Sequence, residues 1–228
     1  MRVPIFQALG VLVLVCSSAW AGSAHPNLVA WYRAENNALD SSGNGHHATM
    51  WSGAAAYTTG KLGRAFLFEG SEALNLGDSL LGVPMTFACW VYQEDGRHQV
   101  LLAQGDTLAT ILILYGKTDF GSADGQVRLV LGGGEVLVGP ALLGKGWTHV
   151  ALSIDASLHC LLYIDAEIYS ENVAPAGIPA DDTLLGARDQ IQVYHHNGII
   201  DDVRIYNAAL TPSDIRRVMQ GKQPLHRY

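Results

Sequence analysis

The sequence predicts an all-β fold, a two-sheet antiparallel sandwich closed by one short C-terminal helix. Three observations carry this expectation. From residue 28 onward, short runs that alternate apolar and polar residues recur between Gly, Asp, Asn and Pro, which is the pattern of half-buried strands. No stretch before residue 210 keeps a 3.6-residue apolar period, so helices do not separate the strands and antiparallel pairing is expected rather than βαβ units. With 49% apolar residues, 15% charged residues and 25 glycines, the 228-residue chain can build a core but is too heavily punctuated for a helix bundle. The length suits one domain, two at most.

Taken in chain order, residues 1–21 read as a secretory signal. Arg2 gives a basic start, Ala8 to Val15 an apolar run, and Ala19-Trp20-Ala21 a small-x-small cleavage site near Ala21. The apolar run is too short to span about 30 Å of hydrocarbon, and no second long apolar stretch follows, so no membrane span is expected in the mature chain. Residues 22–27 form a short linker. Strands are then expected at 28–34, 64–68, 85–92, 100–103, 109–114, 127–131, 147–154, 160–165 and 198–206, with the first and last pairing. A helix over 211–220 follows from Thr211 as N-cap, Pro212 at the first helical position and Asp214 in the first turn, with Ile215, Val218 and Met219 on one face. The domain is thus placed at 28–220, and 221–228 reads as a flexible tail.

Charge and cysteines narrow the partners. There are 14 Lys and Arg against 21 Asp and Glu, a net charge of −7, and the basic residues are scattered, which argues against nucleic acid. Removal of the signal takes Cys16 and leaves Cys89 and Cys160. In an oxidising compartment these two could form a disulfide; equally, both lie at apolar positions of strands, where a thiol acts as a small core hydrophobe.

Several stretches, taken together and in order, carry a resemblance. They are Leu28-Val29-Ala30-Trp31-Tyr32 running into Asp40-Ser41-Ser42-Gly43-Asn44-Gly45, Gly60-Lys61-Leu62-Gly63-Arg64-Ala65 with Phe68-Glu69-Gly70-Ser71, Met85 to Val91, Gly146 to Ala151, and Gly198 to Asn207. This order resembles the laminin-G-like jelly-roll modules of the concanavalin A-like lectin/glucanase superfamily. The resemblance implies a jelly roll, and it implies one structural calcium ion between the opening loop and the closing strand. Carried onto this chain, the ligands would be Glu35, Asp40, Asn44 and Asp201, an oxygen set suited to calcium. Strict alternation would set Asp201 beside Val203 and Ile205, an apolar setting that demands a cation or hydrogen-bond donors. The alternative is that Asp40 and Asn44 form Asx turns and Asp201 accepts backbone N–H groups. Asp202 and Arg204 read as a structural ion pair with a neighbouring strand.

Trp51, Tyr57 and Tyr194 flank loops rich in Gly, Ser and His, where their rings could stack on sugars or pin their own loops. Trp90 and Trp147 read as core. The pairs His46-His47 and His195-His196 offer one ring per strand face, a poor basis for zinc or copper. For catalysis, a retaining glycosidase needs two carboxylates about 5.5 Å apart, yet no strand carries alternating acids, and no nucleophile elbow is present. The reading is therefore an exported, non-catalytic binding module, secreted, periplasmic or at the cell surface, for a glycan or a surface or matrix ligand. A structural or adhesive component of a cell envelope or surface appendage that recognises protein, and a degenerate glycoside hydrolase, are the alternatives.

Overall fold

A computed structural model describes residues 25–97, 99–105, 110–115, 125–188 and 194–226. The signal and its cleavage site, residues 22–24 of the short linker, and the last two residues of the tail lie outside the described residues. The strands are β1 (Leu28–Tyr32), β2 (Thr49–Ser52), β3 (Ala56–Thr59), β4 (Arg64–Glu69), β5 (Ala73–Asp78), β6 (Met85–Gln93), β7 (Gln99–Gln104) and β8 (Thr110–Tyr115). They continue with β9 (Gln126–Leu131), β10 (Gly134–Ala141), β11 (Thr148–Ile154), β12 (His159–Ile164), β13 (Glu167–Val173), β14 (Asp182–Leu185) and β15 (Asn197–Tyr206), before helix α1 (Pro212–Met219).

Two antiparallel sheets face each other. The first runs β13-β12-β11-β6-β15-β4-β3, with β1 also on β15, and the second runs β10-β9-β8-β7-β14-β5-β2. The expected pairing of first and last strands is present, Trp31 opposite Arg204 and Tyr32 opposite Val203. Between the sheets lies the main core, in which Phe66 and Phe68 of β4, Phe87, Cys89 and Val91 of β6, Leu129 of β9 and Leu152 of β11 interlock. A smaller core lies on the outer side of the first sheet, where Ile215 and Val218 of α1 cover Ala88, Tyr163 and Tyr206. The helix starts as its sequence requires: Thr211 Oγ1 accepts from Asp214 N at 3.3 Å, and Pro212 occupies the first turn.

The structure corrects two expectations and decides between the two readings of the cysteines. Strand β15 does not alternate strictly. Its register shifts between Asp201 and Arg204, and Asp202 takes φ +50, a left-handed conformation that Asp tolerates better than most residues. The bulge reverses parity, so Ile200, Val203 and Ile205 all enter the main core, and Asp201 is turned away from them toward the 60–64 turn. Cys89 and Cys160 are both buried free thiols, not a disulfide. They sit on strands separated by β11, opposite Val150 and Ile154 respectively. Finally, the segment after α1 is not a loose tail. Arg204 Nη1 donates to Lys222 O at 2.7 Å, Leu225 N to Asp214 Oδ1 at 2.7 Å, and His25 Nε2 lies 2.6 Å from His226 O, tying both ends of the domain together.

Candidate functional site

The opening loop is organised around Asp40. Its Oδ1 accepts from Trp31 N at 2.9 Å and Ser42 N at 2.8 Å, and its Oδ2 from Ser42 Oγ at 2.7 Å and His46 N at 3.1 Å. Burial opposes the charge, but these donors outweigh it and hold the carboxyl below the usual range. Asn44 turns its amide nitrogen onto Leu28 O and Val29 O, at 2.7 and 2.9 Å, pinning the loop to β1. Asp40 and Asn44 thus serve the loop backbone.

Glu35 and Asp201 form a second group, on the turn that joins β3 to β4. Asp201 Oδ2 accepts from Leu62 N at 2.7 Å, and Glu35 Oε2 from Arg64 N at 3.3 Å. A Cβ at Gly60 would lie 2.5 Å from Asp201 Oδ2, and one at Gly63 would overlap Glu35 Oε1, so glycine at both positions lets the turn close onto the two carboxylates. Asp201 is fully buried, its Oδ1 has no hydrogen-bond partner, and burial pushes its carboxyl up to about 6. Two carboxylates gripping one turn, one with an orphaned buried oxygen, suit a hard cation. The four residues grouped by sequence therefore divide into two pairs with different work. No group of three or more His, Cys, Asp or Glu side chains converges on one point among the described residues.

Asp202 and Arg204 pair with each other rather than with a neighbouring strand. Arg204 is 0% exposed; its Nη2 lies 3.0 Å from each Asp202 oxygen, and its guanidinium stacks 4.4 Å from the Trp31 ring centroid. Trp31 Nε1 completes the cluster by donating to Asp202 Oδ1 at 2.6 Å.

Of the predicted aromatics, Trp51 on β2 and Tyr194 are exposed, at 37% and 41%. Their neighbours touch, Ser52 Oγ lying 3.2 Å from His195 Nε2, but Trp51 is on the edge strand β2 whereas Tyr194 O accepts from Val100 N of β7, an inner strand of the second sheet. Between β2 and the β3–β4 hairpin lies a shallow, open apolar cleft lined by Met50, Ala56, Phe66, Leu67, Phe68 and Leu74. Tyr57 stands apart on β3, half-buried with its ring centroid 5.7 Å from that of Phe66. The histidine pairs do not assemble a metal site: His47 Nδ1 accepts from Asp40 N, and His196 is buried in edge contact with Phe68.

Sequence reasoning missed three features. Gln93 and His196 are buried with both polar atoms of each side chain unpartnered, and nothing in their sequence context signals this. Asp78 and Asp182 meet across β5 and β14, where their shared hydrogen bond raises the exposed Asp78 carboxyl. Trp147 is not core: it is half-buried, with its ring centroid 5.9 Å from that of the exposed Tyr92.

Comparison with known proteins agrees with this architecture. No curated protein sequence matches the chain. Domain 4 of AbnA, a GH43 extracellular arabinanase from Geobacillus stearothermophilus in complex with arabinotriose, superposes with a TM-score of 0.70 at 23% identity, covering 86% of this chain and 100% of that one. The binding domain of Paraclostridial Mosquitocidal Protein 1 gives 0.67 at 14% identity, covering 86% and 52%. The binding domain of botulinum neurotoxin DC in complex with SialylT gives 0.64 at 11%, covering 86% and 52%. The chain thus spans about half of each toxin domain, and at these identities the likeness is one of fold. Among the described residues no helix is long and apolar enough to cross a membrane. A family profile described as the concanavalin A-like lectin/glucanases superfamily, in its laminin-G type, matches residues 68–216, and to that family this chain belongs.

Proposed function

We propose that the chain is an exported, non-catalytic module that binds a glycan, with the surface carrying Trp51 and Tyr194 as its ligand-binding face. Two exposed rings, Trp51 and Tyr194, linked through the Ser52–His195 contact, carry this reading: exposed rings offer flat apolar faces to sugar rings. Tyr57 would support that surface from beneath through Phe66. The arabinotriose on the arabinanase domain is consistent with such a role.

The carboxylates support a non-catalytic role. Asp40 is filled by four donors, Asp202 is locked to Arg204, and Asp78, paired with Asp182, is exposed, without the apolar surroundings that make a carboxyl a general acid. A calcium ion, if carried, would be held by Glu35 and Asp201, whose oxygens are aimed at one turn; it would neutralise their charge and join the opening loop to the closing strand. Export would follow cleavage near Ala21. The reading is tested by retention on insoluble polysaccharides: wild type should be depleted from solution, and Trp51→Ala with Tyr194→Ala should lower that retention. A wild-type chain retained by no polysaccharide would overturn it.

A further inference from the structure

The outer face of the first sheet carries an apolar row that the core does not use. Strand register aligns Ala56 of β3 with Leu67 of β4, Leu67 with Ile199 of β15, and Ile199 with Tyr92 of β6. Trp147, just before β11, extends the row by its ring contact with Tyr92. Alternation confirms the direction: Phe66, Phe68, Ile200 and Val91 on either side are buried, whereas Leu67 and Ile199 are half-buried and Tyr92 is 36% exposed.

The next row along the same face, Trp90, His149 and Asp201, is covered. Trp90 Nε1 donates to Met219 O at 3.2 Å, and Lys61 Nζ sits 4.5 Å above the Trp90 ring. The turn carrying Lys61 and the end of α1 therefore form a wall, and the apolar row is a shelf at its foot. On the open side the row is followed by Glu69, Asn197 and Glu94, of which the two glutamates are exposed.

We propose that this shelf is a second glycan-binding surface, which takes a neutral, extended oligosaccharide lying across the strands. At about 4.8 Å per strand the row is about 19 Å long and one side chain wide. It therefore supplies far less than the roughly 800 Å² per partner of a stable protein interface, which excludes a second copy or a globular protein as occupant. Its floor offers two rings and aliphatic carbon for sugar faces. Glu69 and Glu94 accept from hydroxyls, and Lys61 donates from the wall. The same glutamates repel uronates, phosphates and nucleic acid. The inference rests on the glycan-binding reading but places this surface on the opposite sheet from Trp51.

The test uses the Trp51→Ala, Tyr194→Ala double variant of the full domain in calorimetric titrations with neutral xylo-, manno- and arabino-oligosaccharides, from disaccharide to hexasaccharide, and with oligogalacturonates. Residual binding of one neutral series is expected, strengthening with chain length and weakened about tenfold by adding Tyr92→Ala or Trp147→Ala. Because either added substitution could disturb the fold, amide shifts of Leu67, Tyr92 and Ile199 are followed in the unsubstituted protein and should move with that sugar. If wild type binds but the double variant has lost all binding, or if oligogalacturonates bind better than neutral sugars, the second surface is overturned and the glycan-binding reading stands. If wild type binds none of these sugars, both fall.

Discussion

Replacing Asp40 tests most sharply how the opening loop is built. Its carboxylate accepts four hydrogen bonds of 2.7 to 3.1 Å, three from backbone N–H groups and one from Ser42 Oγ, while Asp40 and Ser42 are 8% and 4% exposed. Asp40→Ala strands those three backbone donors where water has little access, at about 1 kcal/mol each, and the lost charge assistance adds to that. The expected loss is about 3–5 kcal/mol. Asp40→Asn keeps one oxygen and turns an amide NH₂ toward the donors of the other, so about 2 kcal/mol should be lost. Urea unfolding followed by tryptophan fluorescence measures both, with an unchanged slope showing that the folded state is otherwise intact. The losses should be the same with calcium and with chelator, because protein donors fill the Asp40 oxygens. A loss below 1 kcal/mol for the alanine variant, or one seen only in calcium, would refute this account of the loop.

Other outcomes follow from the same structure. Burial pushes His149 and His196 down to about 3, against an ordinary value near 6.5. The folded state then binds fewer protons than the unfolded one, so their contribution is intact above pH 6.5 and is lost as pH falls toward 3. At pH 5 this amounts to about 2 kcal/mol for each histidine. His196→Phe should flatten the stability profile between pH 7 and 5 by about that amount, and an unchanged profile would contradict the burial argument. In protein stripped of metal, saturating calcium should raise the melting temperature, by about 2.7 kcal/mol of stabilisation at a hundredfold excess over Kd. Asp201→Asn and Glu35→Gln should each reduce that shift while Asp40→Asn leaves it; coincident melting curves with calcium and chelator would remove the ion from the account.

The elements legible in the sequence were those with a local signature. β6, β11 and β15 stand out as long β-prone runs bounded by turn residues, and Thr211-Pro212 announces α1 because capping is a short-range interaction. The missed strands have no such pattern. β13 lies at a sheet edge with nearly every residue exposed, β14 is four residues long and mostly buried, β2 is largely exposed, and β10 contains Gly139 and Pro140, which ordinarily argue against a strand. The candidate site suffered from one further event. The bulge at Asp202 depends on pairing with β6, so the sequence could not reveal that Asp201 leaves the apolar face or that Asp202 locks onto Arg204. The sequence groups Glu35, Asp40, Asn44 and Asp201 by type and spacing, but what each oxygen does is set by which backbone donors it meets, and those lie on two different segments.

The central claim, that this fold binds a glycan without cleaving it, is tested most directly in one sample. Protein is incubated with insoluble arabinan, xylan and mannan over a long interval, and depletion of protein from solution and appearance of reducing ends are measured together. The account predicts depletion by at least one polysaccharide, reversed by its soluble oligosaccharide, with reducing ends at the level of a protein-free control. Release of reducing ends that grows with time and disappears in an Asp78→Asn or Asp182→Asn variant would contradict it, since the carboxylate pair across β5 and β14 would then be catalytic.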